Sequence, residues 1–309
     1  MAADYCQLEL RVLCELSHDR ALARLLSTRR GSDSLPSSTN NNDDDDDEEQ
    51  RMDDPFDRIA HHFRSFHAQT SSSSTVSRSG AISTDADADT LSALVKNSAI
   101  ISSAKLKTKT TTLNDGDFVC DRQKAKQLCY AIIYGMGAET LAHEMRISRS
   151  EAQTLLNHFF NLFPRVKCWI EKHTNQSRQL AYCETFSGRR RVFSALAAVG
   201  ESSGEERHRA RQAINYIIQG TASEMFRQAL INVERMLREE FRSSESIVQP
   251  RIVMQLHDEL IVEVAEMHVN RCARVLRKVM ENVFADRGFR LPFPIKISCG
   301  RSWGSLAPF

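Results

Sequence analysis

No apolar run in this chain reaches 18 residues, so no membrane-crossing helix is predicted and no membrane partner is expected. The first residues are not expected to be a secretory signal. The opening Met1-Ala2-Ala3-Asp4-Tyr5-Cys6 has neither a basic start nor an apolar core. None of the eight cysteines forms a CxxC pair, which argues against a zinc ribbon or a disulfide framework and for scattered reduced thiols. A strong excess of one charge is missing too. The net charge of +1 does not by itself point to a polyanion. That balance is an average, however. Asp43 to Glu49 is a block of seven acids, and without it the chain would stand at +8. Basic clusters at Arg189-Arg190-Arg191 and Arg207-His208-Arg209-Ala210-Arg211 could face a polyanion, although charge alone favours a solvated surface.

What is present is a chain of 309 residues, 41% hydrophobic and 26% charged, enough for one large or two medium globular domains. In residues 1–28, Asp4 stands where a short strand gives way to a helix. That helix carries Leu8, Val12, Leu13, Leu16, Leu22, Leu25 and Leu26 along one side. Only three residues precede Asp4, fewer than a core strand usually has, so the strand is expected to be cut at its start. Residues 29–116 read as a low-complexity, mostly disordered insertion, interrupted by a short helix near 55–66. His61 and His62 are neighbours on that helix and point to different sides, so they do not suggest a metal pair.

From 117 to 180 the pattern is helical. A helix is expected over 121–134, ending at Gly135-Met136-Gly137. Another starts at the capping box Ser148-Arg149-Ser150-Glu151 and stops before Pro164. Residues 181–309 mix types. A helix carries Arg211, Asn215 and Gln219 and is expected to break at Gly220. A second helix runs from Thr221 to about Phe241. Residues 251–264 read as a hairpin with His257 and Asp258 at its tip. A helix over 267–286 and a strand over 293–299 follow. The mixture defines an α+β class.

Two sets of residues carry chemistry. Arg122, Lys126, Tyr130 and Tyr134 are each four positions apart, so they share one helix stripe: two cations for phosphates and two rings for a base. Gly135 then permits close approach to the backbone. Taken alone, the stripe also describes an ordinary amphipathic helix. Asp4 and Asp258 form the second set. Both sit where turns can hold carboxylates rigidly, and a pair of like charges at close range calls for a cation such as Mg²⁺. Two such ions can clamp the attacking and leaving oxygens of a phosphoryl transfer.

Read together, Asp4-Tyr5-Cys6-Gln7-Leu8-Glu9-Leu10-Arg11, the stripe from Arg122 to Gly135, and Gln255-Leu256-His257-Asp258-Glu259 resemble motifs A, B and C of family A DNA polymerases, in that order. Arg211 to Gly220 resembles the family's template- and primer-contacting segment, and Ser187 to Arg191 a palm element. Within the family, the wording of Cys129 to Gly137 and of Ser302 to Leu306 is most similar to the eukaryotic theta type, with the nu type as near alternative.

The resemblance implies a right-hand polymerase: a palm of antiparallel sheet with helices (1–28 and 181–309), helical fingers (117–180), and the thumb absent from this chain. It implies Asp4, Asp258, Glu259 and Lys126 as catalytic residues. Two Mg²⁺ ions would be held by Asp4, Asp258 and the carbonyl of Tyr5. Gln7, Glu9, Arg122, Lys126, Tyr130 and Tyr134 would bind a dNTP, Glu9 by filling the space of a ribose 2′-hydroxyl. Gly135, Arg189, Arg211, Asn215, Gln219 and His257 would contact a DNA primer-template. Template-directed DNA synthesis in repair, end joining or lesion bypass, follows as the expected function. A nuclear address is expected, with an organelle as the alternative, and thumb or helicase regions are expected upstream. The rival reading is a truncated, non-catalytic DNA-binding relative.

Overall fold

The computed structural model describes residues 1–27, 54–72, 121–193, 203–242 and 249–309, with side chains described throughout except at 65–72 and 203. Residues 28–53 and 73–120, where most of the insertion was expected, lie outside the described residues. Strand β1 (Ala2–Tyr5) is followed by helices α1 (Leu8–Ser17), α2 (Arg20–Leu26), α3 (Pro55–Ser72), α4 (Arg122–Ile133), α5 (Ala138–Met145), α6 (Arg149–Leu162) and α7 (Pro164–Leu180). Then come strands β2 (Tyr182–Glu184) and β3 (Arg190–Val192), helix α8 (Ser203–Glu240), strands β4 (Arg251–Leu256) and β5 (Glu259–Glu263), helix α9 (Val269–Met280), and strands β6 (Ile295–Cys299) and β7 (Ala307–Pro308). The elements sort into two units. One comprises Met1–Ser27, Phe163–Ala195 and Ala210–Phe309; the other comprises Thr28–Leu162 and Leu196–Arg209.

The first unit is built on an antiparallel sheet in the order β4-β5-β1-β6-β7. Four residues suffice for β1 because it is the central strand, bonded on both edges. Its pleat turns Ala3 and Tyr5 to one face and Ala2 and Asp4 to the other, where Ala2 is buried and Asp4 is exposed. Tyr5 locks the strand in place: its hydroxyl donates to the Met280 carbonyl at 2.8 Å and its ring meets Phe226 edge-on at 6.2 Å. Behind it, α9 buries Cys272, Ala273, Val275, Leu276 and Met280 along one stripe. This helix is shorter than the expected 267–286, because 3₁₀ turns at Glu266–His268 and Ala285–Arg287 take up its ends.

Three expectations for this unit change. The single helix read across residues 8–26 is two helices. Asp19 ends the first and caps the second, its Oδ1 accepting from the amides of Ala21 and Leu22 at 3.0 Å. Its Oδ2 accepts from the Arg165 amide at 3.1 Å, which ties in the start of α7. That tie, with Val166 and Trp169 buried, puts α7 in the first unit, so the segment expected as fingers (117–180) ends at Leu162. Finally, α8 runs unbroken for 38 residues through Gly220.

In the second unit, α3 packs along α4. Phe56, Ile59, Ala60 and Phe63 are buried, as are Ala125, Leu128, Cys129 and Ile132 of α4. Phe63 also meets His158 of α6 edge-on at 4.7 Å. Each fully covered Phe or Ile contributes roughly 1.5–3 kcal/mol. The short helix expected inside a spacer is thus a wall of this unit's core. The predicted capping box is present: the Glu151 amide donates to Ser148 Oγ at 3.2 Å and the Ser148 amide to Glu151 Oε2 at 2.8 Å. The seven described cysteines are all free thiols, and no described helix is long and apolar enough to cross a membrane.

Candidate active site

The sheet's register assembles an ionic row. Asp4 of β1 pairs with Glu259 of β5 on one side and with Lys296 of β6 on the other. Asp258 precedes Glu259 and forms, with His257, the two-residue turn of the β4–β5 hairpin. His257 adopts φ 52°, a left-handed conformation that is costly for a non-glycine residue. Gln7, which starts α1 three residues after Asp4, does the same at φ 50°, and its Oε1 is buried without a protein hydrogen-bond partner. Both irregularities lie beside the carboxylates, at the ends of elements rather than within them.

The charges in this row act on one another. Asp4 is pushed up to about 6 by partial desolvation, then by the negative charges of Asp258 and Glu259, with Lys296 pulling the other way. Burial raises Asp258 as well, opposed by a backbone hydrogen bond and by His257. Glu9, on the first turn of α1, is raised by burial and next by the charge of Asp258. Asp258 is therefore felt by both Asp4 and Glu9. Among the described residues, no three His, Cys, Asp or Glu side chains form a closed metal cage. An open carboxylate pair short of counter-charge is the donor set that suits Mg²⁺, which keeps waters and substrate phosphates in its shell. Tyr5 points its side chain into the core, so its backbone carbonyl alone is available for the metal role expected of it.

The predicted stripe lies in the second unit. Asp121 caps α4 by accepting from the Lys124 amide at 2.8 Å. Lys126 Nζ stands 5.9 Å from the Tyr130 ring centroid, and Tyr130 and Tyr134 stack at 6.3 Å with 23° between their planes. The helix ends at Ile133, and Gly135 takes φ 64° just beyond it. Arg122, at the head of the stripe, is paired with Asp54 at 2.6 Å.

The residues expected to meet DNA divide between α8 and two turns. Arg211 and Asn215 are half-buried and Gln219 is exposed, one turn apart along α8. Arg189 is anchored on that helix: its Nε donates to Glu224 Oε1 at 3.1 Å and its guanidinium lies 5.6 Å from the Tyr216 ring centroid. Sequence reading missed three participants: Lys296 opposite Asp4, Glu224 beneath Arg189, and Asp54 on Arg122. No motif marks any of them, because each acts through a partner far away in the chain.

A central antiparallel sheet with paired acids at a hairpin turn, together with a separate helical unit bearing a cation–tyrosine stripe, defines the palm-and-fingers class. Residues 103–305 match the model of DNA polymerase family A, and the chain belongs to that family. The chain is 37% identical over 188 residues to DNA polymerase I of Chloroflexus aurantiacus, covering 60% of this chain and 19% of that protein. It is 36% identical over 186 residues to DNA polymerase theta of Caenorhabditis elegans, covering 60% and 11%. With the thermostable DNA polymerase I of Thermus aquaticus it shares 32% over 182 residues, 59% and 20% of the two lengths. The chain thus spans about a tenth to a fifth of these relatives. The fold is also that of the POL domain of Pol1 from M. smegmatis, solved in complex with DNA primer-template and dNTP, with a TM-score of 0.64 and 22% identity over 98% of this chain and 39% of that one. The family match starts at residue 103, so Asp4 stands outside it and its case rests on the sheet register.

Proposed function

We propose that this chain carries out template-directed DNA synthesis, joining the α-phosphate of a dNTP to a primer 3′-hydroxyl and releasing pyrophosphate. The observation that carries the reading is the pairing of Asp4 with Glu259, next to Asp258, on a sheet whose open face bears these acids. Asp4 and Asp258, with the Tyr5 carbonyl, would hold two Mg²⁺ ions. Bound there, such ions neutralise phosphate charge and make the attacking hydroxyl more acidic. Glu259 adds a further negative charge beside the pair.

The chain's other groups position and protonate. Arg122 and Lys126 grip the triphosphate, and Lys126 donates a proton to the departing pyrophosphate. Tyr130 and Tyr134 offer stacked rings to sugar and base, and Gly135 leaves the backbone open beside them. Gln7 holds the nucleotide near the carboxylates, and Glu9 excludes a 2′-hydroxyl. Arg189, Arg211, Asn215, Gln219 and His257 contact primer and template, mostly at phosphates and sugars. Catalysis of this kind rests on orientation and charge neutralisation rather than on a covalent intermediate.

We further infer a theta-type repair role in the nucleus, supported by the wording of Cys129 to Gly137 and Ser302 to Leu306. The test is primer extension by the full chain with Mg²⁺ at low salt, where phosphate contacts are strongest. Extension by the parent chain and its loss in Asp4→Ala and Asp258→Ala are expected. Equal extension by the alanine variants removes the mechanism. DNA binding without extension by the parent chain leaves the non-catalytic reading.

A further inference from the structure

Asp54 is held rigidly at the start of α3. Its Oδ1 accepts from the Phe56 amide at 2.8 Å, its carbonyl accepts from the amides of Asp57 and Arg58 at 3.1 and 3.2 Å, and Pro55 presets the first helical turn. The remaining oxygen, Oδ2, faces α4. Arg122 donates to it from Nη2 at 2.6 Å and from Nε at 3.1 Å. Asp57 Oδ2 lies 3.7 Å from the same Nε. About two turns further along α4, the ring of Phe56 sits 6.3 Å from that of Tyr130. The Asp54 side chain is 19% exposed and that of Arg122 is 49% exposed. The acid is largely covered and fixed by its own helix; the cation it holds is open to solvent.

The guanidinium is therefore held by one carboxylate and approached by a second. A triphosphate cannot simply add to it: it would meet two like charges unless Arg122 changes partners. We propose that Asp54 is a latch on nucleotide affinity, a positioning residue that occupies Arg122 in the nucleotide-free chain and yields it to an incoming triphosphate. The inference rests on the reading of Arg122 as a triphosphate ligand. The latch is weak by construction, because exposed charge pairs alter an equilibrium by about two- to fivefold. A polyanion with several charges overcomes it readily; a monoanion gains little by displacing it.

The experiment is calorimetric titration of the full chain with inorganic tripolyphosphate at low ionic strength, for the parent, Asp54→Asn, Arg122→Ala and the double variant. Asparagine keeps the oxygen that caps α3 and removes the charge. The melting temperature of Asp54→Asn is expected within about 3 °C of the parent. Its affinity is expected to rise about threefold, an effect that shrinks in the Arg122→Ala background and at high salt. Should Asp54→Asn unfold, Asp57→Asn decides, with a smaller gain expected in the same direction and no gain overturning the latch. If Arg122→Ala weakens binding while Asp54→Asn leaves it unchanged or weaker, the pair is a staple between two helices and the latch is overturned, with the reading of Arg122 intact. If Arg122→Ala has no effect on tripolyphosphate, the reading of Arg122 itself fails and takes the latch with it.

Discussion

A Cβ added to Gly220 would lie 2.5 Å from Cγ2 of Thr185, far inside van der Waals contact. The glycine therefore marks a close approach, where the turn carrying Ser187, Gly188 and Arg189 docks on the middle of α8. Thr185 has little freedom to turn aside. Its Oγ1 donates to Glu224 Oε1 at 2.6 Å and accepts from the Arg189 amide at 3.1 Å. Gly220→Ala is expected to cost about 2 kcal/mol, seen as a lower melting temperature, despite alanine's better helix propensity. Thr185→Ser, which removes the offending methyl and keeps the hydroxyl, is expected to restore most of the loss in the double variant. A melting temperature that rises in Gly220→Ala would show that the turn is not docked there.

That glycine also shows where sequence reading stops. Glycine inside a helical pattern predicts a break, because a local rule knows only backbone freedom; the helix is continuous, because the glycine makes room for Thr185, 35 positions away. The hairpin tip at Asp258 and the stripe from Lys126 to Tyr134 were legible, since turn residues and four-residue spacing are local signals. Asp4 was legible as a strand-to-helix junction, yet its neighbours Glu259 and Lys296 follow only from strand order, which no single strand encodes. Asp19 hid a helix boundary inside an unbroken apolar periodicity, because its cap depends on one side-chain rotamer. The helix beginning at Pro55 looked like an island in a spacer; its apolar face makes sense only against α4.

Arg11 is the largest polar side chain in the core, 1% exposed. Its Nε donates to the Cys6 carbonyl at 3.0 Å, and Nη1 donates to the carbonyls of Leu26 and Pro292 at 3.0 and 2.8 Å. Desolvation lowers its pKa to about 10, still charged at neutral pH. One guanidinium thus closes the loop after Asp4 and pins it to the end of α2 and to the approach to β6. Arg11→Met fills much of the volume and leaves these carbonyls without their donor. A loss of about 3 kcal/mol is expected in denaturant unfolding, with Asp4 no longer held in register. An unchanged midpoint would mean that the carbonyls find water instead.

Partial burial of Asp4, and after it the repulsion of Asp258 and Glu259, carries a stability cost in the metal-free chain. Asp4 is raised from 3.8 to about 6, so its folded form prefers the proton more than its unfolded form does. Its unfavourable contribution is absent below the unfolded value, grows as pH rises from about 4 through 6, and is complete above that. Asp4→Asn removes it. In EDTA the variant is expected to melt higher than the parent by about 2 °C at pH 8 and by less at pH 5, a modest figure because the side chain reaches solvent. Mg²⁺ is expected to close the gap by stabilising the parent alone. A variant that melts lower at pH 8 would show that Asp4 gains more from its neighbours than it loses.

Glu9 tests whether the unit that holds the acids also reads the sugar. It lies on the first turn of α1, and Leu8 and Leu10 on either side are buried. Burial and the charge of Asp258 both raise its pKa. A steric filter against a 2′-hydroxyl requires a side chain held at such a place. Glu9→Ala opens that space, and the ratio of rNTP to dNTP incorporation is expected to rise by about tenfold or more in single-nucleotide extension. Glu9→Gln has the same size without the charge and is expected to keep most of the discrimination. If both variants lose discrimination alike, charge rather than volume does the filtering. If neither changes the ratio, the sugar is read elsewhere, and Glu9 is left as a half-buried acid that feels the charge of Asp258.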